Sequence, residues 1–311
     1  MRIYLAGVGG MLGEALHKVL AEKHELMCTD IDVNESWLEK CDFRDFSAYE
    51  KKVSAFQPSI MMHIGALTDL EYCETNPDDA YRTNTLSVEH AATLAQAHGI
   101  PLVYISTAGI FDGQKELYDD WDQPNPLAVY ARAKYMGEVV VQTRVPKHYI
   151  FRAGWMMGGG PKKDKKFINK IMKQLAKGVT NIKVVNDKLG TPTYTVDFAR
   201  NLAAMIETPY YGLYNMVCGG ETGRLEVAEE LVKLVNLREK VHVEPVTSEY
   251  FAREYFAPRP PCERLTNYKL RLRNMDMMRG WRVALGDYLR DYYSDYIRSF
   301  APQYMPDTEK L

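Results

Sequence analysis

No apolar run in this sequence reaches the ~20 residues a helix needs to cross a bilayer. The N-terminal MRIYLAGVGGMLGEALHKVL is apolar enough to suggest a signal peptide. Its glycines and Glu14 instead read as strand, turn and helix. Cysteine is sparse and unpatterned: Cys28, Cys41, Cys73, Cys218 and Cys262 are odd in number, scattered and without a C-x-x-C pair. That argues against a disulfide framework and a zinc site, and for small buried residues in a reducing, cytoplasmic setting. No His/Asp/Glu cluster calls for a metal. Charge of either sign is nearly balanced, with a net of −2, so neither nucleic acid nor an anionic membrane is an expected partner. Internal repeats and low-complexity tracts are lacking too.

What is present is an alternation of short β-rich runs with helical patterns. Arg2–Ala6, Glu25–Thr29, Ile60–Ile64, Leu102–Ile105 and Tyr149–Arg152 read as strands. Met11–Lys23, Tyr49–Phe56, Asp79–Gly99 and Leu127–Arg144 read as helices, with Asn125 as cap and Pro126 at the start of the last. Such alternation predicts right-handed crossovers and a parallel sheet covered on both faces. Further on, Lys183–Val185 with Val196–Ile206, and then Leu213–Val217, are expected to complete that sheet. The fold class is therefore α/β, a doubly wound parallel sheet of the Rossmann type, with a smaller C-terminal substrate-binding domain. Residues 1–155, with segments inside 183–217, form the dinucleotide-binding domain. Residues 156–182 and 218–311 form the other.

Between the first strand and first helix lies Gly7-Val8-Gly9-Gly10-Met11-Leu12-Gly13, a G-x-x-G-x-x-G loop. A diphosphate must approach the main chain closely there, and the helix start offers free N–H groups and a positive dipole end. Gly7, Gly10, Met11, Leu12 and Gly13 are the expected cofactor contacts. Asp30, at the end of the second strand, suits the adenosine ribose hydroxyls and disfavours a 2′-phosphate; NAD is at least as well accommodated as NADP.

A helix places Tyr130 and Lys134 on one face, four residues apart. A free phenol, with a pKa of about 10, is a poor proton shuttle near neutrality; an ammonium alongside is expected to lower that value. The pair gains weight from the strand ending Ser106-Thr107, whose hydroxyls can meet a substrate oxygen and the phenol together.

These stretches together resemble one family. The glycine loop, STAGIFDG at 106–113, NPLAVYARAKYMGE at 125–138, Arg152-Ala153-Gly154-Trp155, GTPTYT at 190–195 and RPPCERL at 259–265 are similar to the extended short-chain dehydrogenase/reductase superfamily. The branch they resemble most is dTDP-4-dehydrorhamnose reductase, with its STDYVFDG, NPLNVYGxTKxxGE, R-x-S-W, G-x-PTYT and RPxNSRL patterns. The resemblance implies Thr107, Tyr130 and Lys134 as the catalytic set, with Lys134 also holding the nicotinamide ribose. It implies the adenine near Asp42 and Phe43, and the stretch Gly65-Ala66-Leu67 beneath the cofactor. It implies NAD or NADP as cofactor and a nucleotide sugar as substrate; a homodimer is left open. Where the family has Asp-Tyr to help hold the sugar, this chain has Ala108-Gly109, and Cys262 stands in place of the late asparagine.

Remaining candidates are weighed on chemistry. Ser106 and Asn84 are expected to touch substrate, Asn84 with the cofactor as alternative. Trp155 can stack on a sugar or nucleotide ring, or serve as core. Arg259 and Arg264 are expected to grip a diphosphate, since a guanidinium binds phosphate oxygens with two bonds. Lys162, Lys163, Lys165 and Lys166 read as a solvated face, with the diphosphate as alternative. His63, at a strand end, reads as structural. The expected activity is NAD(P)-dependent reduction of a nucleotide-linked 4-keto-6-deoxy sugar. A nucleotide-sugar epimerase or dehydratase, and a non-catalytic NAD(P)-binding regulatory subunit, are the alternatives.

Overall fold

The computed structural model describes residues 1–305. Its first half runs β1 (Arg2–Ala6), α1 (Met11–Leu20), β2 (Glu25–Asp30), β3 (Leu38–Lys40), α2 (Phe46–Phe56) and β4 (Ile60–His63). It continues through α3 (Leu70–Thr75), α4 (Pro77–Tyr81), a π-helical turn (Arg82–Leu86), α5 (Ser87–His98), β5 (Leu102–Thr107), α6 (Val129–Arg144) and β6 (His148–Ala153). The second half contains β7 (Trp155–Met157), α7 (Gly160–Lys163), α8 (Phe167–Ala176), β8 (Asn181–Val185), β9 (Leu189–Gly190), β10 (Pro192–Tyr194) and α9 (Thr195–Ile206). Then follow β11 (Gly212–Asn215), β12 (Thr222–Gly223), α10 (Arg224–Leu234), β13 (His242–Val246), β14 (Cys262–Glu263), α11 (Tyr268–Leu272) and α12 (Trp281–Arg298).

Seven parallel strands form one sheet in the order β11-β6-β5-β4-β1-β2-β3. Side chains alternate across it, as the two-residue strand period requires. Ile3 and Leu5 enter the layer built with α1, α9 and α12; Tyr4 and Ala6 enter the layer built with α2, α5 and α6. Both faces are thus buried, which is why the strands read as continuous apolar runs. The first layer also takes in Trp281, Tyr288 and Tyr293 of α12, so the smaller C-terminal layer shares a core with the sheet. All five cysteines are buried and free. Among the described residues no helix is long and apolar enough to cross a membrane.

Three expectations are corrected. Asp79–Gly99 is not one helix: α4, the π turn and α5 divide it. The π turn adds one residue while keeping the helix axis, and it swings Asn84 inward. Lys183–Val185 does not join the main sheet. The edge beside β6 is taken by β11, and β8 pairs instead with β13 in a separate parallel ribbon. Asn125 does not cap α6, whose cap residue is Ala128. Its side chain reaches Asp112 at 2.9 Å, and the Val129 N–H donates to Glu74 from α3 at 2.9 Å.

Candidate active site

Strand order reverses between β1 and β4, because the chain builds outward from β1 in both directions. The loops leaving the carboxyl ends of these two strands frame the crevice where such sheets bind ligands. Gly7 leaves β1 with φ +75°, and a Cβ there would run into the Gly65 backbone. Gly65 in turn donates its N–H to the Ala6 carbonyl at 3.0 Å. A Cβ on Gly13 would overlap the Val8 carbonyl, so this glycine lets α1 pack against the loop. A Cβ on Gly10 would meet nothing within 4 Å: this position faces open space. No side chain caps α1, which leaves the N–H groups around Met11 and Leu12 available, while the Leu12 side chain is buried.

Asp30 Oδ2 accepts from the Gly9 N–H at 2.7 Å and Oδ1 from the Asp32 N–H at 3.0 Å. Its carboxylate therefore stands at the rim of the glycine loop. The Phe43 ring wedges against Gly7 and Gly65 and meets His63 edge-on at 4.8 Å. Asp42 is held by the Arg44 guanidinium at 2.8 Å, which keeps its carboxyl below the usual range. His63 lies buried between Ser87 Oγ at 3.0 Å and Tyr49 Oη at 3.5 Å, a structural position. Burial pulls its pKa down to about 3.

Asn84 lies on the π turn. It is 1% exposed, and its side chain is taken by the backbone of Leu67. Oδ1 accepts from the Leu67 N–H at 2.8 Å, and Nδ2 donates to the Leu67 carbonyl at 2.9 Å. The π turn thus fixes the Gly65-Ala66-Leu67 loop, and Leu67 packs in the cluster that holds Tyr130.

At the end of β5 the two hydroxyls part. Ser106 is 3% exposed and its hydroxyl meets no partner among the described residues. Thr107 points the other way; its Oγ1 accepts from the Gly109 N–H at 3.2 Å. Burial pushes the Tyr130 phenol up to about 12, and hydrogen bonding from the Thr107 hydroxyl opposes the rise. Lys134 is not among the groups that act on this phenol, so the depression expected from it does not arise. Lys134 is itself almost enclosed, with Nζ 4.2 Å from the centroid of the Tyr104 ring. Burial lowers its pKa to about 7, and Glu138 one turn along opposes the fall. The Tyr104 hydroxyl donates to the Lys134 carbonyl at 3.0 Å and occupies the space a side chain at Gly137 would need. Glu138 is clasped by Arg152 of β6 through two bonds of 2.9 and 2.8 Å, both partners buried. The arginine of the R-x-x-W stretch thereby ties α6 to the sheet.

The far wall differs from expectation. Trp155 donates Nε1–H to Glu263 Oε2 at 2.7 Å, and the Gly190 backbone lies against its ring. The Arg224 guanidinium covers the ring as well, 3.7 Å from its centroid. Trp155 is thus a platform for two charged side chains. Arg259 is engaged by Glu71 of α3, at 2.7 and 3.0 Å, and Arg264 by the Thr222 carbonyl at 3.0 Å and Glu221 at 3.5 Å. Both guanidinium groups thus have partners within the chain. Of the lysine run, Lys162 and Lys163 pair with Glu35, while Lys166 Nζ donates to the carbonyl and hydroxyl of Thr68 at 3.2 Å. The Glu71 and Thr68 contacts join the C-terminal layer to the loop and helix after β4. Glu263 and Arg224 both meet Trp155 and were not singled out by the sequence reading. Glu263 was within reach, since it stands where the RPxNSRL pattern has serine.

Residues 1–294 match the family described as RmlD substrate binding domain. A solved dTDP-4-dehydrorhamnose reductase from Clostridium acetobutylicum is 33% identical, covers 93% of this chain and 99% of its own, and superposes with a TM-score of 0.84. A Bacillus anthracis dTDP-4-dehydrorhamnose reductase, solved in complex with NADP, is 30% identical over 93% of this chain and 99% of its own, with a TM-score of 0.85. The Mycobacterium tuberculosis dTDP-4-dehydrorhamnose reductase is 29% identical over 91% of both chains. With the reversed strand order and the glycine loop on the same sheet, the chain belongs to the RmlD substrate binding domain family of NAD(P)-dependent extended short-chain dehydrogenases/reductases.

Proposed function

We propose that the chain reduces the ketone of a nucleotide-linked 4-keto-6-deoxy sugar with NADH or NADPH, using Tyr130 as the proton donor. The observation that supports this reading is the Thr107 hydroxyl, at the carboxyl end of β5, acting on the Tyr130 phenol of α6. The cradle fits a dinucleotide: Gly7 and Gly65 touch backbone to backbone, Gly10 faces open space, and the start of α1 is uncapped. Gly10 and the first N–H groups of α1 would hold the diphosphate, and Asp30 the adenosine ribose. When bound, the reduced nicotinamide supplies the hydride.

The protein's own groups manage the proton. Burial keeps the Tyr130 phenol protonated at neutral pH, the form an acid needs in a reduction. Thr107 favours the phenolate left after donation. Lys134, with a pKa of about 7, gains and loses protons near neutrality and is suited to restoring the phenol. Asn84 keeps Leu67 packed beside the tyrosine.

The test is the loss of NADPH absorbance with a dTDP-4-keto-6-deoxy sugar generated from dTDP-glucose. Y130F should lower turnover by about 10²–10⁴-fold with NADPH affinity retained. Near-normal turnover in that variant would rule out Tyr130 as donor. Sugar conversion without net NADPH loss would instead indicate epimerisation.

A further inference from the structure

Arg224 is the first residue of α10, and its surroundings are unusual for a cation. Its guanidinium lies 3.7 Å from the centroid of Trp155 and 4.7 Å from that of Phe167. Its backbone N–H donates to the Lys188 carbonyl at 3.2 Å. Among the described residues, however, the guanidinium makes no hydrogen bond and no ion pair. Arg259 and Arg264, in contrast, are both engaged by carboxylates and carbonyls.

Three features make an unpaired cation costly here. It stands at the positive end of a helix, where an anion is favoured. Aromatic faces and burial strip it of water and pull its pKa down to about 10. Arg259 adds like charge nearby, and Lys166 shares the same field. Glu263 offsets part of this, but one of its oxygens is committed to the Trp155 indole.

Stacking also determines which part of the group is usable. Rings cover the faces of a guanidinium, while its N–H donors lie in the plane and point outward from the edge. A guanidinium held in this way is preorganised for two-point contact with a phosphate. Its location is on the substrate side: Trp155 connects it to Glu263, and Glu263 borders Gly109, two residues beyond Thr107.

We propose that Arg224, held against the Trp155 and Phe167 rings, binds a phosphate of the diphosphate bridge in the nucleotide-sugar substrate and so selects activated over free sugars. This rests on the nucleotide-sugar reading above.

The experiment is calorimetric titration of the chain saturated with NADP⁺, with dTDP, UDP and thymidine as probes. The wild type should bind dTDP more tightly than thymidine. R224Q should weaken dTDP roughly 10- to 100-fold and leave thymidine and NADP⁺ unchanged. R224K, which keeps the charge but lacks the planar fork, should fall between them. If R224Q loses NADP⁺ binding through misfolding, R224K and F167L carry the test, and each must weaken dTDP more than thymidine. Equal dTDP affinity in wild type and variants, with dTDP bound, overturns the assignment of Arg224 alone. A wild type that binds neither dTDP nor UDP overturns the nucleotide-sugar reading and this assignment with it.

Discussion

Glu263 Oε1 sits 3.2 Å from the point where a Cβ on Gly109 would lie. One position gives up a side chain and the other supplies a carboxylate in the same space. The family pattern has tyrosine and serine at these two places, so the wall has exchanged a phenol for an acid. The carboxylate also acts on Tyr130, whose ionisation it opposes.

The two positions should therefore be coupled. G109Y alone meets the carboxylate and should lower kcat/KM at least ~10-fold. E263S alone leaves a gap and strips Trp155 of its acceptor, with a loss of similar size. The double variant should recover part of both losses, giving a coupling of about 1 kcal/mol in a double-mutant cycle of steady-state kinetics. Strict additivity would show that the positions do not share one space.

Asn84 offers a separation of placement from chemistry. N84A leaves the Leu67 N–H and carbonyl without partners, at a cost of about 1–3 kcal/mol in denaturant unfolding. Turnover should fall as the Leu67 loop loosens beside Tyr130, while the pH profile of the remaining activity keeps its shape. A changed profile would mean that Asn84 acts on a titrating group.

His63 predicts an acid limb in stability. Its folded pKa is about 3, below the 6.5 of an unhindered imidazole. Between those values the unfolded chain takes up a proton that the folded chain refuses, so stability is full above pH ~6.5 and falls on acidification. The contribution is at most about 1.4 kcal/mol per pH unit. Urea unfolding between pH 7 and pH 4 should show this slope, and H63N should flatten it whatever its stability at pH 7.

How far the sequence revealed this site depends on how local each contact is. The β1 loop and α1 were legible because Gly7, Gly10 and Gly13 answer backbone demands within a few residues of one another. That Tyr130 and Lys134 lie four apart on one helix was legible from spacing, and the strand end at Ser106-Thr107 gave the pair its weight. Asn84 was not legible, because the π turn adds one residue without interrupting the apolar helical pattern. The partners of the arginines were not legible for a related reason. A guanidinium's partner is chosen in three dimensions, and Glu71, which occupies Arg259, lies on a distant helix. The β8 segment shows the same limit: its pattern marks a strand, but β11 holds the edge beside β6 and β8 pairs with β13.

The mouth of the crevice is fastened by Arg259 on Glu71 and by Lys166 on Thr68. These fasteners are polar and partly open to water, so ions weaken them while leaving the buried Arg152–Glu138 pair intact. The attachment of the C-terminal layer to the segment after β4 is thereby salt-sensitive, whereas the tie between α6 and the sheet is shielded from ions.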